Sequence, residues 1–165
     1  MLSDRHLILR PAGPSDVDTL FELIVALAEY ERLRHRVTGT RELLETALFG
    51  PRPHAEAIIA ELDSEPVGFA LFFHTFSTFV CRSGLWLEDL FVVPEHRRAG
   101  IGRMLLSHLA AVAVRRGCAR FEWTALDWNE PALQFYDALG AEMQSDLRTL
   151  RLEGEGLRAL AVESG

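Results

Sequence analysis

An apolar run from Leu85 ends at Val93 and Pro94, and Arg97-Arg98-Ala99-Gly100-Ile101-Gly102-Arg103 then leads straight into a leucine-rich helical pattern. A strand that turns through two glycines into a long helix presents unpaired backbone N–H groups, backed by the positive end of the helix dipole. Such a start binds phosphate. Glycine admits the phosphates close to the backbone, and Arg97, Arg98 and Arg103 add positive charge nearby. The stretch is not the dinucleotide fingerprint, because Leu105 stands where the third glycine belongs. It is not a P-loop either. The chain holds no lysine, which also removes Schiff-base and pyridoxal-phosphate chemistry. The strand before the turn carries two acids at its centre, Glu88 and Asp89, and regular alternation sends them to opposite faces. A carboxylate such as Glu88 in an apolar strand can attract a cation and accept or relay a proton. Asp89 is expected to be structural. The six histidines include no pair three or four residues apart, and neither His-Glu-x-x-His nor Cys-x-x-Cys occurs, so no metal site is expected.

The elements that must position these residues follow from hydrophobic periodicity. His6–Arg10 reads as a first strand, and Ser15 as the N-cap of a helix that runs through Leu20, Leu23 and Leu27 to about Arg32. Thr40 caps a shorter helix ending before Gly50. Ala55–Leu62 and Val67–Phe76 form a hairpin around Asp63-Ser64-Glu65-Pro66, and Leu85–Val93 is the next strand. A helix from Gly102 to Arg116 ends at Gly117. Phe121–Leu126 is a strand, Glu130-Pro131 opens another helix, Met143–Leu152 reads as a last strand, and Leu157–Val162 as a terminal helix. The expected fold class is therefore α/β, with a mixed sheet flanked by helices.

The chain has 165 residues, 48% apolar and 25% charged, the profile of a single globular domain spanning 1–165. A net charge of −7 argues against nucleic acid or an anionic membrane as partner and favours a cationic substrate. Cys81 and Cys118 are too few for a disulfide framework and read as reduced thiols of a cytoplasmic protein. Met1–Arg10 lacks the apolar run of a signal peptide, and no window reaches the ~18 apolar residues of a membrane span.

Arg97-x-x-Gly100-x-Gly102 after an apolar strand resembles the acetyl-CoA pyrophosphate loop of the GNAT N-acetyltransferase superfamily. Asp127-Trp128-Asn129-Glu130-Pro131-Ala132, followed by Phe135-Tyr136 and Leu139-Gly140-Ala141, is similar to that superfamily's asparagine-to-tyrosine segment. Trp86-Leu87-Glu88-Asp89-Leu90-Phe91-Val92 and Leu27-Ala28-Glu29-Tyr30-Glu31 resemble the branch of spermidine/spermine and thialysine acetyltransferases. The match runs from about Ile8 to Leu160. The resemblance implies a central, mostly antiparallel mixed sheet and acetyl-CoA as co-substrate. It implies that Leu90, Phe91 and Val92 offer backbone to the pantetheine arm, that Arg97, Arg98, Ala99, Gly100, Ile101, Gly102 and Arg103 wrap the pyrophosphate, and that Asn129 binds the cofactor. It places Tyr136 near the sulfur as general acid, and Glu88, Tyr30, Glu31 and the strand Glu122-Trp123-Thr124 toward the amine. It also implies a homodimer.

These roles suit the chemistry. An alkyl amine with a pKa near ~10.4 is almost wholly protonated at neutral pH, and reaching the neutral nucleophile costs about 4 kcal/mol. The leaving thiolate needs a proton, which a phenol can give. The resemblance also bears on the substrate. Polyamine-specific members carry an aspartate where this chain has Ser77, and a tryptophan near the last strand where it has Asp146-Leu147-Arg148. Arg148 would repel a second ammonium. A short amine or an amino-acid side chain gains ground over a long polyamine. A protein or peptide acetyltransferase and a non-catalytic coenzyme A-binding module are the alternatives.

Overall fold

The computed structural model describes residues 6–162, in two compact units, Met1–Thr124 and Ala125–Gly165. The first unit is built on five strands in sequence order: β1 (Leu7–Pro11), β2 (Glu56–Leu62), β3 (Glu65–Ser77), β4 (Arg82–Val92) and β5 (Phe121–Trp123). The first four pair antiparallel, and β5 joins β4 in parallel. The mixed, mostly antiparallel sheet expected from the sequence is thus present. The β2–β3 hairpin turns on Asp63 and Ser64, both at positive φ (54° and 70°). That is the primed geometry whose twist matches its strands, and it suits a short polar residue such as Asp63, which tolerates left-handed backbone.

Helices α1 (Val17–Tyr30) and α2 (Arg41–Phe49) cover one face of the sheet. Leu20, Leu23 and Leu27 of α1 and Leu48 of α2 pack with Ile59, Phe69 and Phe91, and their 3.6-residue spacing explains the packing. Helix α3 (Ile101–Arg115) buries Leu105, Leu109 and Val112 against the other face, where Phe72 lies beneath the Arg116 guanidinium, 5.8 Å from ring centre to Cζ. Burying one such leucine contributes about 1.5–3 kcal/mol.

The start of α1 differs from expectation. Asp16, not Ser15, is its N-cap, and the Asp16 carboxylate faces inward instead of the helix dipole. It takes both Arg10 nitrogens, Nη1 at 2.7 Å and Nη2 at 2.8 Å, and accepts the Gly13 N–H at 2.7 Å. Arg10 also grips Glu61 on β2 through Nε and Nη2. The Arg10 guanidinium, with the Gly13 N–H behind it, holds the Asp16 carboxyl below the usual range despite burial. Thr40 does cap α2, accepting the Leu43 N–H at 3.3 Å.

In the second unit, α4 (Glu130–Asp137) and α5 (Gly154–Val162) form as expected. The expected strand Met143–Leu152 does not. Residues 141–153 contain only turns there, with Ser145 N–H bonded to the Met143 carbonyl and Leu147 N–H to that of Gln144. Its apolar positions Leu147, Leu150 and Leu152 do not keep a strict period of two, and polar Gln144-Ser145-Asp146 favours a turn.

Candidate functional site

Strand β4 is irregular where its acids lie. Leu71 of β3 faces Asp89, and the next residue, Phe72, faces Leu87, so Glu88 is an extra residue bulged out of the ladder. Phe73 faces Trp86 across the strands, their rings 6.4 Å apart. Leu71 and Phe73 share a face of β3, so the bulge turns Asp89 onto the same face as Trp86, the α1 side. The expected opposition of Glu88 and Asp89 is therefore corrected: one inserted residue resets the alternation. Glu88 is exposed and accepts a hydrogen bond from Trp86 Nε1 at 3.0 Å.

Asp89 is half-buried. Burial, then the charges of Glu88 and Glu31, pushes its carboxyl up to about 6. Burial also raises the Glu31 carboxyl. Tyr30 and Glu31 come to this place because α1 stops there. Arg32 adopts a left-handed φ of 62°, the Arg32 N–H bonds the Glu29 carbonyl and the Leu33 N–H that of Ala28. This end motif normally uses glycine, so no residue type marks the stop, and the expected end at about Arg32 is late by two residues.

Beyond Leu87 the sheet opens. β5 pairs with Leu85–Leu87, so among the described residues β4 from Glu88 to Val92 has no strand on its β5 side. Leu90, Phe91 and Val92 lie along this opening, the Val92 carbonyl being taken by Arg97 Nε at 3.0 Å. A short 3-10 turn, Pro94–His96, leads to the loop. There Arg98 has φ 63° and Gly100 φ 84°, and the first helical hydrogen bond of α3 is Met104 N–H to the Gly100 carbonyl. No side chain caps the helix start, leaving the N–H groups of Ile101, Gly102 and Arg103 without helical acceptors. Left-handed residues in such a turn fold successive N–H groups inward as an anion cradle. Gly100 has open space where a side chain would stand, so the positive φ is what requires glycine. Arg98 and Arg103 are exposed beside the cradle, whereas Arg97 turns away from it toward Tyr30.

The other expected residues divide. Glu122 shares the register position of Trp86 on β5, but Arg120 Nε holds its carboxylate at 2.6 Å. Trp123 faces Leu87, across the sheet from the carboxylates, and packs on Phe121 with ring centres 5.0 Å apart. Thr124 follows β5 and is exposed. In the second unit, Asn129 is the N-cap of α4, and its Oδ1 is buried with no protein partner, which suits a donor on a bound molecule. Tyr136 stands near the end of α4 with its ring 5.4 Å from that of Phe135. Among the described residues no group of three His, Cys, Asp or Glu side chains is placed to hold a metal ion, and no helix is long and apolar enough to cross a membrane.

An anion cradle at a helix start, a sheet opening along β4 and a carboxylate cluster at its bulge together suit binding of a phosphorylated acyl carrier beside an amine. Comparisons with known proteins identify the family. Residues 22–141 match the profile of the acetyltransferase (GNAT) family. The thialysine N-epsilon-acetyltransferase of Mus musculus is 35% identical, over 93% of this chain and 96% of its own length. The L-ornithine N5-acetyltransferase of Arabidopsis thaliana is 29% identical, over 92% and 86% respectively. Among solved structures, an integron cassette protein of V. cholerae superposes with a TM-score of 0.80 at 27% identity, over 94% of this chain and 97% of that one. The chain belongs to the acetyltransferase (GNAT) family and is an acyltransferase.

Proposed function

We propose that this protein uses acetyl-CoA to acetylate the side-chain amine of a small cationic amino acid of the thialysine or ornithine type. The observation that carries this reading is the β4 bulge, which turns Asp89 to the α1 face, under the charges of Glu88 and Glu31, on the strand that leads into the anion cradle. A cluster of three carboxylates attracts an ammonium ion, and Asp89, ionised just above pH 6, can take its proton. The cradle residues Arg98 to Arg103 would hold the pyrophosphate, the open backbone of Leu90 to Val92 the pantetheine, and the unpaired Asn129 amide oxygen one of its N–H groups. Acetyl-CoA supplies an activated acetyl thioester. Tyr136 is the proposed acid for the leaving sulfur. Glu88 orients the amine through its free carboxylate oxygen, and Tyr30 lines the approach.

The β3–β4 hairpin supports a short substrate: Ser77, where polyamine-specific relatives carry an aspartate, pairs in register with Arg82, so the hairpin end holds a cation and no acid at that pair. The named activities of the thialysine and ornithine relatives support the same choice. We read the whole chain as one catalytic domain, acting as a cytoplasmic homodimer without nucleic acid or membrane. The test is kcat/KM on thialysine, ornithine and spermidine with thiol detection. The amino acids should exceed spermidine by at least about tenfold, the weight of one desolvated charge contact. A spermidine value tenfold higher would reverse the assignment.

A further inference from the structure

Arg97 opens the phosphate-binding sequence motif, yet its side chain is spent elsewhere. Its guanidinium carbon lies 4.1 Å from the centre of the Tyr30 ring and 5.5 Å from that of Phe91. Its Nε donates to the Val92 carbonyl at 3.0 Å. A planar cation laid on an aromatic face and fixed by a directed N–H is an arrangement that arginine makes and lysine does not. The Tyr30 ring needs such a hold: it is 38% exposed, on the last residue of α1, immediately before the backbone reverses at Arg32. Glu31 follows, and its charge acts on Asp89.

We infer that Arg97 is a positioning residue for the amine side of the reaction, a strut from the end of β4 to Tyr30, and not a phosphate ligand. The inference rests on the acyltransferase reading of this site. It assigns the loop two separate tasks: Arg98, Gly100 and the start of α3 receive the anion, while Arg97 fixes the ring and carboxylate that the amine meets. The two tasks make different demands on position 97. A phosphate ligand tolerates lysine as a point charge; a stacked guanidinium does not.

The experiment compares Arg97→Lys, Arg97→Gln, Tyr30→Leu and the Arg97→Lys/Tyr30→Leu double variant. Coenzyme A affinity is read by calorimetry, amine KM and kcat at saturating acetyl-CoA, and melting temperature in each. Both Arg97 variants should bind coenzyme A within about threefold of wild type while amine KM rises about fivefold or more, the size of one exposed cation–π contact. Tyr30→Leu should raise amine KM similarly, and the double variant should add nothing further. Coenzyme A affinity that falls tenfold in Arg97→Gln and recovers in Arg97→Lys would overturn the inference. So would independent, additive effects of the two substitutions on amine KM and melting temperature. A wild-type protein that releases no coenzyme A with any amine overturns the acyltransferase reading instead. The binary titration and the stability cycle distinguish that outcome from failure of the strut.

Discussion

Asp89 is a half-buried carboxyl under the influence of two acids, Glu88 and Glu31, and its protonation near pH 6 ties stability to function. Its ordinary value is 3.8, so between these two values the folded protein holds more protons than the unfolded chain. Stability from this group is therefore greatest in acid and falls as pH rises through that window. Above it, the ionised carboxylate costs up to roughly 3 kcal/mol. Asp89→Asn should raise the melting temperature by several degrees near pH 7.5, with a smaller gain near pH 4.5, while amine-dependent turnover falls. An equal gain at both pH values would contradict this account of the shift. Tyr136 calls for a different measurement. Tyr136→Phe keeps the ring and removes the hydroxyl proposed as acid, so kcat should fall by about 10²-fold with acetyl-CoA KM within a few-fold. That loss is roughly 2.7 kcal/mol, more than the ~1 kcal/mol of a bystander hydrogen bond. A variant that keeps more than about a third of wild-type kcat would show that water serves instead.

The elements that matter most are the β4 bulge and the loop that follows the strand. Gly100→Ala puts a side chain into open space but at positive φ, at a cost of about 1–2 kcal/mol. If the cradle depends on that backbone, coenzyme A affinity should drop about tenfold or more by calorimetry, with a modest fall in melting temperature. Unchanged affinity would contradict the cradle. The strand–turn–helix path of this loop was legible in the sequence, because Pro94 ends the apolar strand and two glycines stand just before a leucine-rich helical pattern. The hairpin turn, the Thr40 cap and the leucine faces of α1 and α3 were legible for the same reason: local chemistry dictates them. The bulge was not. A single inserted residue depends on how β3 and β4 pair, and nothing in Trp86-Leu87-Glu88-Asp89 marks which residue is extra. Regular alternation therefore favours Glu88 as base over Asp89, whereas the fold turns Asp89 inward. Likewise the inward turn of Asp16 depends on its partner Arg10, which lies on strand β1, and the helical pattern alone marks Ser15 as the cap. Arg97 was assigned to phosphate by its motif, and the nearness of Tyr30, 67 positions earlier, is a tertiary fact.

At the scale of the whole molecule, composition and family agree on an acidic protein for a basic substrate. A net charge of −7 and the carboxylates about the β4 bulge favour a cationic amine. The missing lysine fits direct transfer, in which no side-chain amine forms a covalent link to substrate. The central claim is therefore acetyl transfer from acetyl-CoA to a small primary amine at this site. The most direct test is mass spectrometry of wild-type protein incubated with acetyl-CoA and thialysine, together with thiol quantification. The account predicts N-acetylated thialysine and free coenzyme A in equal amounts, with no acetylated protein on the path and with the rate falling as pH drops below about 6. Coenzyme A binding without amine-dependent release of thiol, across the amine panel, would contradict it.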